Sequence, residues 1–381
     1  MFEFVNNRRL IYGNEKIYEI TGILQWHCCK KAFLAVYDCE AEAVRSITKK
    51  LQDIKIDVVL YDQIKGEPDL EVINGARDLY LKEKCDCMIA IGGGSVIDTA
   101  KAANMLVANG GNVEEYQMEG RKVTKNSSLF IAVPTTAGTG AEATKTSVVT
   151  NNQNGLKKSL YHSSMIADIV ILDPSLTVQL PSGLTAATGM DALSHGIESY
   201  VSLNATVLSQ MYSLKAIQLV NENLLTAVNE PENILARGNM LLASYFGGCA
   251  ISAGIGIAHI MAQPLGAMFH IPHGDACSIF LPASMELNMA DAYEKYAVIA
   301  EVMGVLDSSV SSLENGMNAI KRVEELRSQI HAPEHLADFS GVKQADAVTI
   351  LDIVKRTTGH ITCNPRLLDD DLILTMYEKC L

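Results

Sequence analysis

From Gly238 to Gly274 the chain carries no Asp, Glu, Lys or Arg. Such a run must be buried in a bilayer or in a protein core, and about 20 apolar residues already suffice to cross a membrane. Its content argues against lipid. Gly247, Gly248, Gly254, Gly256, Gly266, Pro264 and Pro272 are expected to break a spanning helix. His259, Gln263, His270 and His273 would sit in hydrocarbon, where polar groups are costly unless they line a functional cavity. A buried helix plus loop in a soluble protein is the expectation, with no membrane partner. A buried histidine needs partners, because an unsatisfied nitrogen costs about 1–3 kcal/mol. The run is therefore either a core with satisfied histidines or half of a cation site.

The 381 residues are enough for two domains, and 48% hydrophobic with 20% charged residues is a globular composition. A formal net charge of −13 and only 6% aromatic residues exclude a nucleic-acid binder of the usual basic kind. The amino terminus, "MFEFVNNRRLIYGNEK", has neither the apolar core of a secretory signal nor the Arg/Ser richness of a transit peptide. The nine cysteines contain no Cys-x-x-Cys spacing and read as thiols in a reducing compartment, so a cytoplasmic location is expected.

The first half alternates short apolar runs with helical stretches. "AFLAVYD" (32–38), "DVVLYD" (57–62), "CDCMIAI" (85–91) and "SLFIAVP" (128–134) read as strands, with helices over 69–84 and 96–110 between them. That alternation predicts βαβ units and a parallel sheet covered on both faces. After the turn-rich "DPSLTVQLPSGLT" (173–185) the pattern becomes almost wholly helical. We expect an α/β domain over 1–180 and a helical domain over 181–381.

Two glycine loops follow strands. "IGGGSVID" places Gly93, Gly94 and Ser95 at a helix start, where free N–H groups attract phosphate oxygens. It is neither the usual Rossmann turn nor a Walker loop, and by itself fits a tight structural turn equally well. "PTTAGTGAEAT" offers the hydroxyls of Thr135, Thr136 and Thr139, suited to a diphosphate and ribose. Asp38, at the end of the first of these strands, can accept from an adenosine ribose and would repel a 2′-phosphate, which favours NAD(H) over NADP(H). A turn-capping role for Asp38 is the alternative.

In "GMDALSHGIESY" (189–200), Asp191 and His195 stand at i and i+4, on one helix face with Cβ atoms roughly 5–6 Å apart. An ordinary Asp–His pair is the plain alternative. With His259 and His273 in the uncharged run, one divalent cation would satisfy all four. A carboxylate and three imidazoles suit Fe²⁺ or Zn²⁺ and suit Mg²⁺ poorly.

Together, "GGGSVID", "PTTAGTGAE", "ILDPSLT", "GMDALSHGIESYVS", "IAHIMAQPLGAMFHIPHG" and "NPR" (364–366) closely resemble the iron-containing (group III) alcohol dehydrogenases, in order and over essentially the whole chain. The resemblance implies the dehydroquinate synthase-like fold: an α/β dinucleotide-binding domain followed by an all-α metal-binding domain. It implies Asp191, His195, His259 and His273 as metal ligands, with Fe²⁺ before Zn²⁺. Cofactor contacts carry over to Asp38, Gly93, Gly94, Ser95, Asp98, Thr135, Thr136, Thr139 and Lys157. The implied activity is hydride transfer between the nicotinamide C4 of NAD(H) and a short-chain alcohol or aldehyde, the metal acting as Lewis acid at the substrate oxygen. A homodimer is the family's expectation. Many members carry a proton-relaying histidine where this chain has Gln263. Glutamine cannot titrate, so a relay needs water, ribose hydroxyls or His270, which otherwise only lines the site. The alternative substrate is a small acidic aldehyde, such as sulfoacetaldehyde or a phosphonate aldehyde. A metal-dependent lyase of the related sugar-phosphate cyclase type ranks below both, because residues 238–274 supply no base for a phosphate.

Overall fold

The structure, a computed structural model, describes residues 2–151, 156–356 and 362–381, with the backbone alone at 156, 157, 267 and 356. Two compact units emerge. One comprises 3–136 and 141–177, the other residue 2, 137–140 and 178–381, each over its described residues.

The first unit is built on β1 (Arg9–Tyr12), β2 (Lys31–Val36), β3 (Asp57–Tyr61), β4 (Cys87–Gly92), β5 (Leu129–Pro134) and β8 (Ile169–Leu172). The sheet runs in the order β1-β8-β5-β4-β2-β3, and every pairing is parallel. Its helices are α1 (Glu19–Trp26), α2 (Glu42–Asp53), α3 (Leu70–Glu83), α4 (Gly94–Asn109) and α5 (Val113–Gln117). Strands with helices on both faces need apolar side chains on both, which is why β2 and β4 read as continuous oily runs and β4 is buried throughout. On one face Leu34, Val36, Ile89, Ile91, Ile131 and Val133 pack against Ile20 and Leu24 of α1 and Ile47 and Leu51 of α2. The chain winds from β2 outward to β3 and then returns to place β4 on the other side of β2. The winding direction therefore reverses between β2 and β4, and in open parallel sheets ligands bind outside the carboxyl ends of the strands at such a reversal. Strand β2 stops at Val36, so Asp38 lies in the bend beyond it rather than ending the strand.

A feature absent from the sequence reading is the antiparallel hairpin of β6 (Thr146–Asn151) and β7 (Leu156–Tyr161). It is tied to α4: the Asp98 carboxylate accepts from the Val148 N–H at 3.0 Å, and Ser147 Oγ donates to the Asp98 carbonyl at 2.8 Å.

The second unit is helical: α6 (Ser182–Val201), α7 (Val207–Asn229), α8 (Ile234–Ala250), α9 (Ile257–Phe269), α10 (His273–Val302), α11 (Ser312–Gln329), α12 (Ala347–Arg356) and α13 (Asp370–Cys380). The charge-free run thus forms α8, α9 and their connection. The expectation that its prolines and glycines break helices is corrected for Pro264, Gly266, Gly247 and Gly248, which lie inside α9 and α8. Tertiary packing outweighs their poor intrinsic propensity. Leu265, Met261 and Ile257 of α9 pack with Ile279 and Phe280 of α10, Ile350 and Val354 of α12, and Ile373 and Tyr377 of α13. Ile234–Ala253 is long and apolar enough to cross a membrane by length and composition, with mean hydropathy 1.2, yet 67% of that window is buried inside the protein. It is a core helix.

The tip of the second glycine loop, 137–140, belongs to this helical unit rather than to the α/β unit, as a boundary at 180 would have it. Backbone contact is the cause. Gly140 adopts φ +57°, and a Cβ on it would lie 2.5 Å from the Gly248 Cα in α8. Glycine on both sides lets loop and helix touch main chain to main chain.

Candidate metal centre and nucleotide-binding edge

Three helices of the second unit bring Asp191, His195, His259 and His273 together. Asp191 and His195 sit one turn apart on α6, His259 in the first turn of α9, and His273 opens α10 after Pro272. From Asp191 Oδ1, the Nε2 atoms of His195, His259 and His273 are 3.8, 3.4 and 3.8 Å away. Asp191, His195 and His259 are buried, and the His273 side chain is 38% exposed, which leaves one side approachable. The His195 and His259 rings stack at 4.5 Å between centroids.

What each imidazole's other nitrogen does decides what faces the centre. His259 Nδ1 lies 2.5 Å from Glu198 Oε2, and Glu198 Oε1 also accepts from the Ala258 N–H at 2.7 Å. His195 Nδ1 lies 3.3 Å from the Gly138 carbonyl in the loop tip. Both contacts place a proton on Nδ1 and leave an Nε2 lone pair turned toward Asp191. Asp191 Oδ1 and His259 Nε2 are buried and find no hydrogen-bond partner among the described residues. Lone pairs converging in a buried space repel unless a cation sits among them, and these donors, two to three nitrogens and a carboxylate oxygen, suit a transition-metal ion. The carboxylate behind His259 is the arrangement that orients metal-binding imidazoles.

The electrostatics agree. Burial pushes the Asp191 carboxyl up, but the His195, His259 and His273 imidazoles outweigh it and hold the group below the usual carboxylate range. Burial lowers His195 to about 4, so its imidazole is neutral, the form that ligates. For His259, burial is overcome by Cys277, Asp191 and Glu198, and its affinity for a proton rises. This is the response of a site that wants positive charge at its centre.

Sequence reading missed two residues here. Glu198 is one turn beyond His195 in the same motif, and its spacing was the available signal. Cys277 stands one turn after His273 on α10, fully buried, with Sγ 3.5 Å from His273 Nε2.

Gln263 is half-buried one turn after His259 on α9. His270 is exposed at the carboxyl end of that helix, with a left-handed φ of 56°.

In the α/β unit, Gly93 caps α4 while Gly94 and Ser95 form its first residues, and all three are half-buried at the carboxyl end of β4. Among the described residues no side chain caps this helix, and no acidic residue lies in its first turn, which suits an anion. Thr135 and Thr136 follow β5, the Thr135 N–H donating to the Gly92 carbonyl at 3.0 Å. Asp38 is exposed on the β2 side of the reversal, where its Oδ1 accepts from the Glu40 N–H at 2.9 Å. These six residues stand at the carboxyl ends of three neighbouring strands, β2, β4 and β5, the first two of which flank the reversal. Asp98 is turned elsewhere: one oxygen lies 3.3 Å from Lys101 Nζ and the other receives Val148. Thr139 belongs to the loop tip in the helical unit. The Lys157 backbone pairs with Thr150 in the hairpin, and its side chain lies outside the described residues.

Comparison with known proteins gives the same frame. Residues 7–174 match the sequence model of iron-containing alcohol dehydrogenase, and residues 185–381 match that of the carboxy-terminal region of the Fe-containing alcohol dehydrogenase family. The chain is 34% identical to the NAD-dependent methanol dehydrogenase of Bacillus methanolicus, covering 94% of each sequence. The structure of a 1,3-propanediol oxidoreductase superposes with a TM-score of 0.96 at 31% identity, covering 100% of both chains. Sulfoacetaldehyde reductase from Bifidobacterium kashiwanohense, solved in complex with NAD⁺, superposes with a TM-score of 0.91 at 26% identity, covering 100% of this chain and 98% of that one.

Proposed function

The chain belongs to the Fe-containing alcohol dehydrogenase family, and from that premise we propose that it is a metal-dependent, NAD(H)-linked reductase of short-chain aldehydes. The observation that carries the metal reading is the convergence of Asp191 Oδ1 and His259 Nε2, both buried and without a hydrogen-bond partner among the described residues, with His195 and His273 beside them. Asp191, His195, His259 and His273 would hold the ion. When bound, it supplies Lewis acidity at the substrate oxygen.

The chain's own residues do the rest. Glu198 and the Gly138 carbonyl keep the His259 and His195 rings in the ligating tautomer. The apolar core that α9 forms with α10 closes His259 off from bulk water, which strengthens the charge interactions around it. Gly93, Gly94, Ser95, Thr135 and Thr136 receive the cofactor diphosphate through backbone amides and hydroxyls, and Asp38 receives the adenosine ribose and repels a 2′-phosphate. Thr139 and Lys157 remain in the proposed cofactor set, and Asp98 serves it by fixing the β6–β7 hairpin to α4. Gln263 carries no titratable proton, so protonation of the product alkoxide is assigned to solvent, with His270 as the exchangeable group at the open end of α9.

The likeness to a sulfoacetaldehyde reductase supports a second substrate reading, a small acidic aldehyde. Anaerobically Fe²⁺-loaded protein, assayed for NADH oxidation with acetaldehyde, propanal, lactaldehyde and sulfoacetaldehyde, separates the two. Turnover of the neutral aldehydes is expected. Turnover of sulfoacetaldehyde alone would transfer the assignment to the acidic class, and no NADH oxidation with any of them would overturn the reductase reading.

A further inference from the structure

Cys277 is not needed by the four-ligand site, yet its sulfur points into it. The ligating atoms of Asp191, His259, His273 and Cys277 all lie within 4.8 Å of one another. Two donors bound to one ion at roughly 2.0–2.3 Å each can be at most about 4.6 Å apart, so a cluster this tight is within a small adjustment of a common centre. The cysteine is 0% exposed, and its placement is dictated by helix geometry, since positions 273 and 277 share one face of α10. The centre already contains two buried atoms that find no hydrogen-bond partner among the described residues, Asp191 Oδ1 and His259 Nε2, 3.4 Å apart, and they point to the same place as the sulfur does.

We propose that Cys277 is a further ligand, binding the ion as a thiolate beside Asp191 and the histidines. The inference rests on the metal-binding reading above. On coordination the S–H bond breaks, a sulfur–metal bond forms, and the proton leaves to solvent, with no change in oxidation state. A thiolate is a soft donor, so the centre favours thiophilic ions such as Zn²⁺ and Co²⁺ over Mn²⁺ or Fe²⁺ more strongly than one carboxylate and three imidazoles would. It also lowers the charge of the loaded site from +1 to neutral, given a divalent ion, one carboxylate and one thiolate. The result is a tighter but weaker Lewis acid than the four-ligand set.

Titration of metal-free full-length protein with Co²⁺ under anaerobic conditions tests this without relying on turnover. The expected result is saturation at one equivalent, with visible d–d bands and a sulfur-to-cobalt charge-transfer band in the near ultraviolet that rises in step with them. Cys277→Ser should still take one equivalent while losing the charge-transfer band, and its preference for Zn²⁺ over Mn²⁺ should fall at least about tenfold. Saturable Co²⁺ binding by the wild-type protein without a charge-transfer band overturns the thiolate ligand and leaves the four-ligand reading intact. So does a band that persists in Cys277→Ser, which would place the sulfur elsewhere, as at the Cys29, Asp86 and Cys87 group. Absence of any saturable Co²⁺ site overturns both readings. Should Cys277→Ser fail to fold by circular dichroism, Cys277→Ala replaces it, with loss of the band expected and its persistence contrary.

Discussion

Glu198→Gln isolates the residue that aims His259. Both carboxylate oxygens accept an N–H: Oε2 from His259 Nδ1 and Oε1 from the Ala258 backbone. An amide has a single acceptor oxygen, so one of these buried donors must face an NH₂ group. Hydrogen bonds to a charged acceptor are worth roughly 1.5–3 kcal/mol, which sets the stability lost. A unit of this size loses roughly 2–4 °C of melting temperature per kcal/mol, so the metal-free variant should melt several degrees lower. The ring behind the metal loses its orienting carboxylate, a change that typically weakens metal affinity about 10–100-fold. Competition with a chromophoric chelator measures the affinity, and NADH binding serves as control because the proposed cofactor residues other than Thr139 lie in the other unit. Gly256→Ala should act in the same direction without altering Glu198, since a Cβ there would lie 2.7 Å from Oε1. Metal affinity of Glu198→Gln within twofold of wild type would refute the reasoning.

Further perturbations separate the remaining parts. His259→Ala should lose metal and aldehyde turnover while keeping NADH affinity by fluorescence titration; a parallel loss of NADH binding would break the assignment of the two ligands to different units. Asp38→Gly should raise the NADPH-to-NADH ratio of kcat/KM by roughly tenfold, the scale of one exposed and screened like-charge repulsion, and an unchanged ratio would remove Asp38 from the ribose site. Burial raises the Glu142 carboxyl to about 7 from an ordinary 4.5, with Oε1 left unpartnered. The folded state therefore holds the proton more tightly, and this residue's contribution to stability is best below about 4.5 and falls as pH rises toward about 7. Glu142→Gln should match wild type in unfolding free energy at pH 5 and exceed it at pH 8, by at most about 3 kcal/mol; a gap that does not widen with pH would show that the carboxyl is ionised in the fold.

How much of this was legible in the sequence depends on the range of the interaction. The parallel sheet could be read because strands covered on both faces must be oily along their length, as "CMIAIG" is. The hairpin was invisible because "TSVVTN" and its partner pack against α4 through Asp98 and Ser147, contacts that no local period records. Asp191 and His195 were legible because a helix makes i and i+4 neighbours, and the need of buried histidines for partners joined His259 and His273 to them before the family resemblance named the same four. Cys277 has that same spacing from His273, yet among nine cysteines its i+4 relation carried no weight until the fold placed it. The assignment of Thr139 to the α/β domain missed because main-chain contact between Gly140 and Gly248 is a tertiary fact. Pro264 inside α9 likewise shows burial overriding local propensity.

The central claim is that one metal at Asp191, His195, His259 and His273 is required for NADH-linked aldehyde reduction. Stripping the protein with chelator and reloading it anaerobically with substoichiometric Fe²⁺ tests it directly. The account predicts aldehyde-dependent NADH oxidation that is absent in the stripped protein, rises in proportion to bound iron and stops rising at one ion per chain. Full activity in the stripped protein, or a plateau far from one ion per chain, would contradict it.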